Sequence, residues 1–382
     1  MSEKIIIQSE EERVLRQKLE ERHDAEAERM KRLLNMPDLS RIAGSPIKAI
    51  IDHILNQGDF KNFDTIQTPE IIDSELIFKL FNYPKDHTER SPSNTYYIDK
   101  KYILRPLTTI MWHYYLNQPE TKKRIEAEDT LGFFSFGKVY RKDEIDRTHM
   151  NVFHQMDGGF LIPKARKNIS IDDLQDVLVN IAKAVFGIDI KYRFNKDIFP
   201  YTDPSLEMEV EVNGRWVEVL GCGIMTDALV RNMGLDPAKW SNWAFGFGIE
   251  RLAIISMDLP DIRLLWSNDE RVKKQLKLGQ KYKEVSKFPP VIRDISFIVP
   301  KAFILNDYFD LIREVGEGIV ENVELLDKYE NAEKFGEDKI SYTFRITYRH
   351  LERTLTNEEV NKIHAELERR TESDFKAEIR RI

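Results

Sequence analysis

The sequence holds a single cysteine, Cys222, in 382 residues. One cysteine excludes an intrachain disulfide and any cysteine-based metal cluster, and a reducing compartment is the simplest reading. No apolar run approaches the ~18–20 residues that span a bilayer, so no membrane partner is expected. The opening Met1-Ser2-Glu3-Lys4 lacks the basic-then-apolar order of a secretory signal, and its acidic content does not suit a transit peptide. An excess of positive charge is also missing. There are 58 basic and 65 acidic side chains, net −7, which excludes a protein that coats nucleic acid by bulk charge but leaves room for local basic strips. The Gly-x-Ser-x-Gly turn of covalent hydrolases is absent. What is present is 41% apolar and 32% charged residues, enough for sizeable cores in two or three domains.

Residues 1–40 read as a charged N-terminal helical extension. Ser9 and Glu12 have capping-box spacing. The apolar positions that follow (Leu15, Leu19, Met30, Leu33) are sparse, so one exposed or loosely docked helix over 9–35 is expected. Ser45 caps a helix from Pro46 to about Gln57. Residues 41–270 alternate strands with a few helices. Strands are predicted at Tyr96–Ile98, Phe133–Arg141, Asn151–Phe160, Leu206–Val212, Arg215–Leu220 and Trp243–Gly248. Helices are predicted at Leu107–Leu116, Ile171–Phe186 and Ile249–Ile255. Runs of strands with interspersed helices indicate an α+β, mainly antiparallel sheet. Residues 271–289, rich in Lys, Glu and Gln and ending in Pro289-Pro290, read as a linker. Residues 290–382 run strand, helix, strand, strand, helix, short strand, the order of a ferredoxin-like α/β sandwich.

Three constellations carry chemistry. In Gly137–Gly159, alternation puts Phe153, Gln155 and Asp157 on one strand face. An aromatic, an amide and a carboxylate suit a ligand with a flat ring and an ammonium group, and Arg141 suits a phosphate or carboxylate. A solvent-facing hairpin is the plain alternative. In Leu206–Leu220, Asn213-Gly214 is a two-residue hairpin signal that sets Val212 opposite Arg215, Val210 opposite Val217 and Glu209 opposite Glu218. Opposed carboxylates repel, and Mg²⁺ shared with substrate phosphates would relieve them; a solvated acidic face would also serve. In Ala244–Arg251 (AFGFGIER), glycines admit a close ligand and Arg251 falls in the first turn of the next helix. Together these suit ATP plus an amino acid.

The same residues resemble a known family. GKVYRKDEIDRTHMNVFHQMDG (Gly137–Gly158) is similar to motif 2, and AFGFGIERLA (Ala244–Ala253) to motif 3, of class II aminoacyl-tRNA synthetases in the phenylalanine-specific form. FPYTDPSLEMEV, VEVLGCGIM and DIRLLWSNDER resemble that form too. FPPVIRDISF and YTFRITYRHLERTLTNEEV resemble its ferredoxin-fold anticodon-binding domain. One chain carrying both points to the single-chain, organelle-type enzyme, a monomer. The resemblance implies the class II antiparallel sheet flanked by helices, ATP and Mg²⁺ as cofactors, and phenylalanine and its tRNA as partners. It implies Arg141 on the α-phosphate and the amino-acid carboxylate, and His149 near the outer phosphates. Phe153 would lie on adenine, with Arg251 on the other face. Glu218, with Glu209, would associate with the metal. Gln155, Asp157 and Thr109 would line the ammonium end, Phe199 and Tyr201 would grip the phenyl ring, and Ala244 would close the pocket.

Some positions depart from the family pattern. After Arg105 the family reads Thr-His-Thr-Ser with a later Gln; here Leu107, Thr109 and Trp112 stand at the His, Ser and Gln positions, and Asp157 replaces Glu. A paralogue activating another amino acid or carboxylate, and a non-catalytic tRNA-binding relative, are therefore alternatives. In Ile340–Arg349 the alternate set Ser341, Thr343, Arg345, Thr347, Arg349 forms a polar strip suited to RNA, with Arg345 and Arg349 as its tRNA contacts. The compartment expected is the cytoplasm of a bacterium or the mitochondrial matrix of a eukaryote.

Overall fold

The computed structural model describes residues 2–285 and 288–380. It forms two compact units. The first takes in the chain up to Tyr140, Val152–Leu259 and Leu276–Lys281; the second takes in Arg141–Asn151, Pro260–Gln275 and the chain from Tyr282 onward.

The first unit is built on strands β1 (Lys4–Ile6), β2 (Asp64–Gln67), β3 (Ile71–Asp73), β4 (Tyr102–Leu104), β5 (Leu131–Tyr140), β6 (Val152–Pro163), β7 (Tyr192–Phe199), β8 (Thr202–Val212), β9 (Arg215–Met225) and β10 (Trp240–Gly248). Eight of them form one sheet in the order β1-β2-β5-β6-β10-β9-β8-β7, and β3 pairs with β4. From β5 to β7 the sheet is antiparallel; β1, β2 and β5 run parallel. The α+β expectation holds. The β8–β9 hairpin has the register read from the sequence, with Glu209 opposite Glu218. Asn213 (φ 51°) and Gly214 (φ 77°) both take the positive φ that this turn requires. Tyr96–Ile98 is not a strand: Tyr97 makes an isolated bridge to Ile103.

The N-terminal expectation is corrected. Residues 9–35 form two helices, Glu10–Glu20 and Ala25–Asn35, broken where the Arg22 guanidinium bonds both oxygens of the cap residue Asp24 at 2.9 Å. They are not loosely docked. Leu15, Leu19, Met30 and Leu33 are buried with Ile71, Tyr96, Leu104 and Tyr140 in one core cluster. Splitting the helix lets two sparse apolar stripes converge on the same core.

The second unit carries β11 (Val291–Pro300), β12 (Val320–Tyr329), β13 (Lys339–Tyr348) and β14 (Glu378–Ile379), in sheet order β12-β13-β11-β14. Helices Leu305–Gly316 and Asn357–Phe375 follow β11 and β13, which completes the ferredoxin-like order. Residues 141–151 pack onto this sandwich: Ile145 is buried in its core, Lys142 Nζ lies 2.6 Å from Asp307, and Arg147 Nε bonds Glu321 at 2.7 Å. Within the stretch read as a linker, Val272 and Leu276 are buried.

Candidate active site

The register of β5, β6, β10 and β9 lays out the site in transverse rows. One row reads Ser135, Asp157, Gly246, Gly221; the next reads Phe133, Gly159, Ala244, Gly223; on the other side Gln155 pairs with Gly248. Paired residues share a sheet face. Strands lie ~4.8 Å apart, so Gly221 and Asp157 are about 10 Å apart.

The glycines are forced by their neighbours. A Cβ on Gly246 would sit 2.0 Å from Asp157 Oδ1, and one on Gly221 would sit 2.9 Å from the Phe199 ring. Asp157 is 2% exposed. Thr108 Oγ1 and Thr109 Oγ1 both donate to its Oδ2, the latter at 3.1 Å, and Gln155 Nε2 donates to Oδ1 at 3.2 Å. These donors fix the carboxylate facing along the row. Ser135 Oγ, in the same row, is buried and finds no hydrogen-bond partner among the described residues. At the other end Phe199 lies over Gly221, its ring parallel to Tyr201 within 8° and 5.9 Å away, and Tyr201 leans on Phe81 at 5.0 Å. The rows between are glycine and alanine. The result is a trough with a carboxylate at one end and two aromatic rings at the other.

Trp112 does not stand open in this trough. It is 1% exposed, packs edge-on to Phe133 at 4.6 Å, and covers Gly159, where a Cβ would meet it at 2.3 Å. Leu107, Tyr201 and Ala244 pack on the same apolar cluster. The departures at Leu107 and Trp112 therefore add core, and Thr108, which the sequence reading passed over, supplies a hydroxyl to Asp157.

On the same sheet, Phe153 lies beside Gly248, its ring 4.0 Å from where a Cβ would be. Arg251, in the first turn of the Ile249–Met257 helix, reaches Glu218 Oε1 at 3.3 Å. Glu209 bonds Arg193, which stacks over Trp216 at 4.5 Å. That bond holds the Glu209 carboxyl below its usual range. The opposed acids are thus relieved by two arginines, so repulsion between Glu209 and Glu218 no longer calls for a cation. Instead Glu207 is the strained acid: partial burial, then the charge of Glu218, raise its pKa. Among the described residues no set of three acidic, His or Cys side chains is arranged to hold a metal by itself.

Behind this face His154 is fully buried. Its Nδ1 lies 2.6 Å from Glu250 Oε1; its Nε2 lies 2.9 Å from the Leu39 amide nitrogen and 3.3 Å from Asp38 Oδ1. A charged ring cannot accept from the Leu39 N–H, so the two contacts compete. Burial opposes the charge, but Glu250 and Asp38 outweigh it and raise the pKa to about 9. A raised pKa stabilises the fold fully below pH ~6.5 and loses that contribution as pH climbs through about 9, a loss of about 3 kcal/mol. Urea unfolding across this range should show that fall in the native chain and a flatter profile in His154→Gln.

Arg141 and His149 fall outside the first unit. Both belong to the segment of the second unit, where the Arg141 amide bonds Asn151 O at 3.1 Å and His149 Nδ1 lies 2.7 Å from Asp146. The two arginines of the polar strip are also matched by acids. Arg345 bonds both oxygens of Asp294 at 2.9 and 2.8 Å, and Arg349 pairs with Glu321 at 2.5 Å, the carboxylate that also holds Arg147.

A trough of this chemistry on a largely antiparallel sheet, followed in the chain by a ferredoxin-like sandwich, is the equipment of an amino-acid-activating enzyme of class II. Comparison with known proteins agrees. Residues 33–276 match the class II core domain (F) of tRNA synthetases, and residues 286–380 match the ferredoxin-fold anticodon-binding domain. The chain is 35% identical over 339 residues to the mitochondrial phenylalanine--tRNA ligase of Mus musculus (78% of this chain, 71% of that protein). It is 35% identical over 332 residues to the chloroplastic/mitochondrial phenylalanine--tRNA ligase of Arabidopsis thaliana (84% and 73%). It is 29% identical over 417 residues to the mitochondrial enzyme of Saccharomyces cerevisiae (87% of each). The chain belongs to the class II aminoacyl-tRNA synthetases and, among them, to the phenylalanine--tRNA ligases.

Proposed function

We propose that the chain activates phenylalanine with ATP and transfers it to tRNA(Phe). The observation that carries this is the trough. Its carboxylate comes from Asp157 on β6 and its Phe199 ring lies over Gly221 on β9, with only Gly246 between them in the row, an arrangement that suits an α-amino acid held by its ammonium at Asp157 and Gln155 and by a flat side chain at Phe199 and Tyr201. Ala244 bounds the ring end.

The amino-acid carboxylate attacks the α-phosphorus of ATP in line. One P–O bond forms, the bond to the β-phosphate oxygen breaks, and pyrophosphate leaves. The 2′-hydroxyl of the terminal tRNA ribose then attacks the adenylate's carbonyl, forming the ester as the acyl–phosphate bond breaks and AMP leaves with the hydroxyl's proton passing to the medium. Catalysis is positioning and charge stabilisation, with no protein nucleophile. Phe153 stacks on adenine and Arg251 covers its other face and reaches the outer phosphates. By resemblance Arg141 takes the α-phosphate and His149 the outer ones. Mg²⁺ fits as a partner of Glu218 and Glu207, whose mutual repulsion it would relieve; when bound it neutralises phosphate charge. Glu209, tied to Arg193, is the lesser ligand.

ATP–pyrophosphate exchange over a panel of amino acids tests the reading. Exchange with phenylalanine supports it, exchange only with another acid favours a paralogue, and none with any acid refutes both.

The second unit supports tRNA binding. Arg345→Ala should raise KM for tRNA about tenfold in charging assays, because its guanidinium can exchange Asp294 for phosphate, while leaving exchange unchanged. Arg349→Ala should instead depress both reactions, because Arg349 and Arg147 share Glu321 and the segment carrying Arg147 also carries Arg141.

A further inference from the structure

We propose that His154 is a positioning residue for ATP: through Glu250 it fixes the helical turn that carries Arg251 against the strand that carries Phe153. The proposal rests on the reading of Phe153 and Arg251 as ATP residues and deepens it.

The β6–β10 ladder ends at the pair Gln155–Gly248, where the chain turns into the Ile249–Met257 helix. The N–H of His154 falls just past that last pair. Both Glu250 oxygens accept it at 2.9 Å, and His154 Nδ1 reaches the same carboxylate at 2.6 Å. Glu250 is 3% exposed. One buried carboxylate therefore holds both the main chain and the ring of His154. Each partner is the chain neighbour of an ATP-facing residue, Phe153 before His154 and Arg251 after Glu250. Among the described residues the Arg251 guanidinium is otherwise aimed only at Glu218, by an ion pair and a long 3.5 Å bond to its carbonyl. Its ion pair with Glu218 is half exposed on both sides, and such pairs hold little in water. Its direction is set by its backbone, and that backbone is tied down by Glu250.

The far side of the ring is seated as firmly. Asp38 accepts from the Ser40 amide at 3.0 Å and from Arg41 Nε at 3.1 Å. Lys138, directly opposite His154 in register, donates to Leu34 O at 2.7 Å and Met36 O at 2.9 Å. The segment after the N-terminal helices is thus stitched beneath the motif-2 strands, and His154 transmits that seat to the motif-3 helix. A purely structural histidine would affect both substrates alike; a positioning one acts on ATP.

The test uses the full chain in ATP–pyrophosphate exchange, with ATP and phenylalanine varied separately. An Asn amide nitrogen takes the place of Nδ1 and keeps the Glu250 contact, whereas a Gln amide nitrogen takes the place of Nε2 and keeps only Asp38. His154→Gln should raise KM for ATP about tenfold with KM for phenylalanine within about twofold, and His154→Asn should restore KM for ATP to near the native value. Equal ATP KM values in the two variants, or parallel rises for both substrates, overturn the proposal. Should neither variant fold, Glu250→Gln is read by the same split. A native chain that shows no exchange overturns the functional reading itself, which a failed split does not.

Discussion

Asp157→Ala is expected to lower kcat/KM for phenylalanine in exchange about 100-fold or more while KM for ATP stays near native. Removing one partner of a buried charge pair costs about 2–5 kcal/mol, and each 1.4 kcal/mol is tenfold. The substrate ammonium would meet the hydroxyls of Thr108 and Thr109 and the amide of Gln155, all of which now converge on that carboxylate. Gly246→Ala should reproduce the defect without touching a polar atom. Its Cβ would fall 2.0 Å from Asp157 Oδ1, and the carboxylate, pinned from the far side by two threonines, must leave the row or push β10 away. Because both substitutions act on one group, the double variant should be scarcely worse than Asp157→Ala alone. Full additivity of the two losses would show that Gly246 serves something other than the seat of Asp157.

This pairing shows where sequence reading stops. Alternation is local, so the shared face of Phe153, Gln155 and Asp157 could be read from β6 alone. The β8–β9 register could be counted from Asn213-Gly214 because a two-residue turn fixes it. Nothing local says that β10 lies between β6 and β9. That placement joins residues nearly ninety apart, and with it the motif-3 glycines change meaning, from room for a ligand to room for Asp157 and Phe153. His154 is a similar case. Its position on the back face follows from alternation, but its partners Glu250 and Asp38 come from distant segments. The N-terminal helices depart from their sequence pattern for the reverse reason. Four apolar residues in a charged stretch looked too few to dock, yet a break at Arg22–Asp24 brings the two stripes onto one core. Net charge was equally blind to Arg345 and Arg349, because Asp294 matches the first and Glu321, shared with Arg147, the second.

The departure at Trp112 allows a test of stability that also bears on the pocket. Trp112→Ala should destabilise the first unit by about 3–5 kcal/mol, the usual cost of emptying a buried tryptophan site. For a unit of this size that is a fall of about 10 °C in Tm, read by melting at fixed pH. Trp112→Gln, which restores the family's residue, should be little better, since it places an amide against Phe133 and Gly159 in a cluster of apolar side chains. Gly159→Ala alone should also be severe, because its Cβ would lie 2.3 Å from Trp112 and 2.9 Å from Phe133. The two single losses should not add. In the double variant the new methyl enters the space the indole leaves, so Trp112→Ala with Gly159→Ala should be less destabilised than the sum of the two. Tryptophan and glycine then count as one unit of volume, chosen together. An additive double would instead mean that Gly159 is held by Phe133 and the strand backbone, with Trp112 a bystander. The same double moves apolar volume from the indole to the strand directly beside Asp157. If the trough is the amino-acid site, its phenylalanine KM should shift while its ATP KM does not.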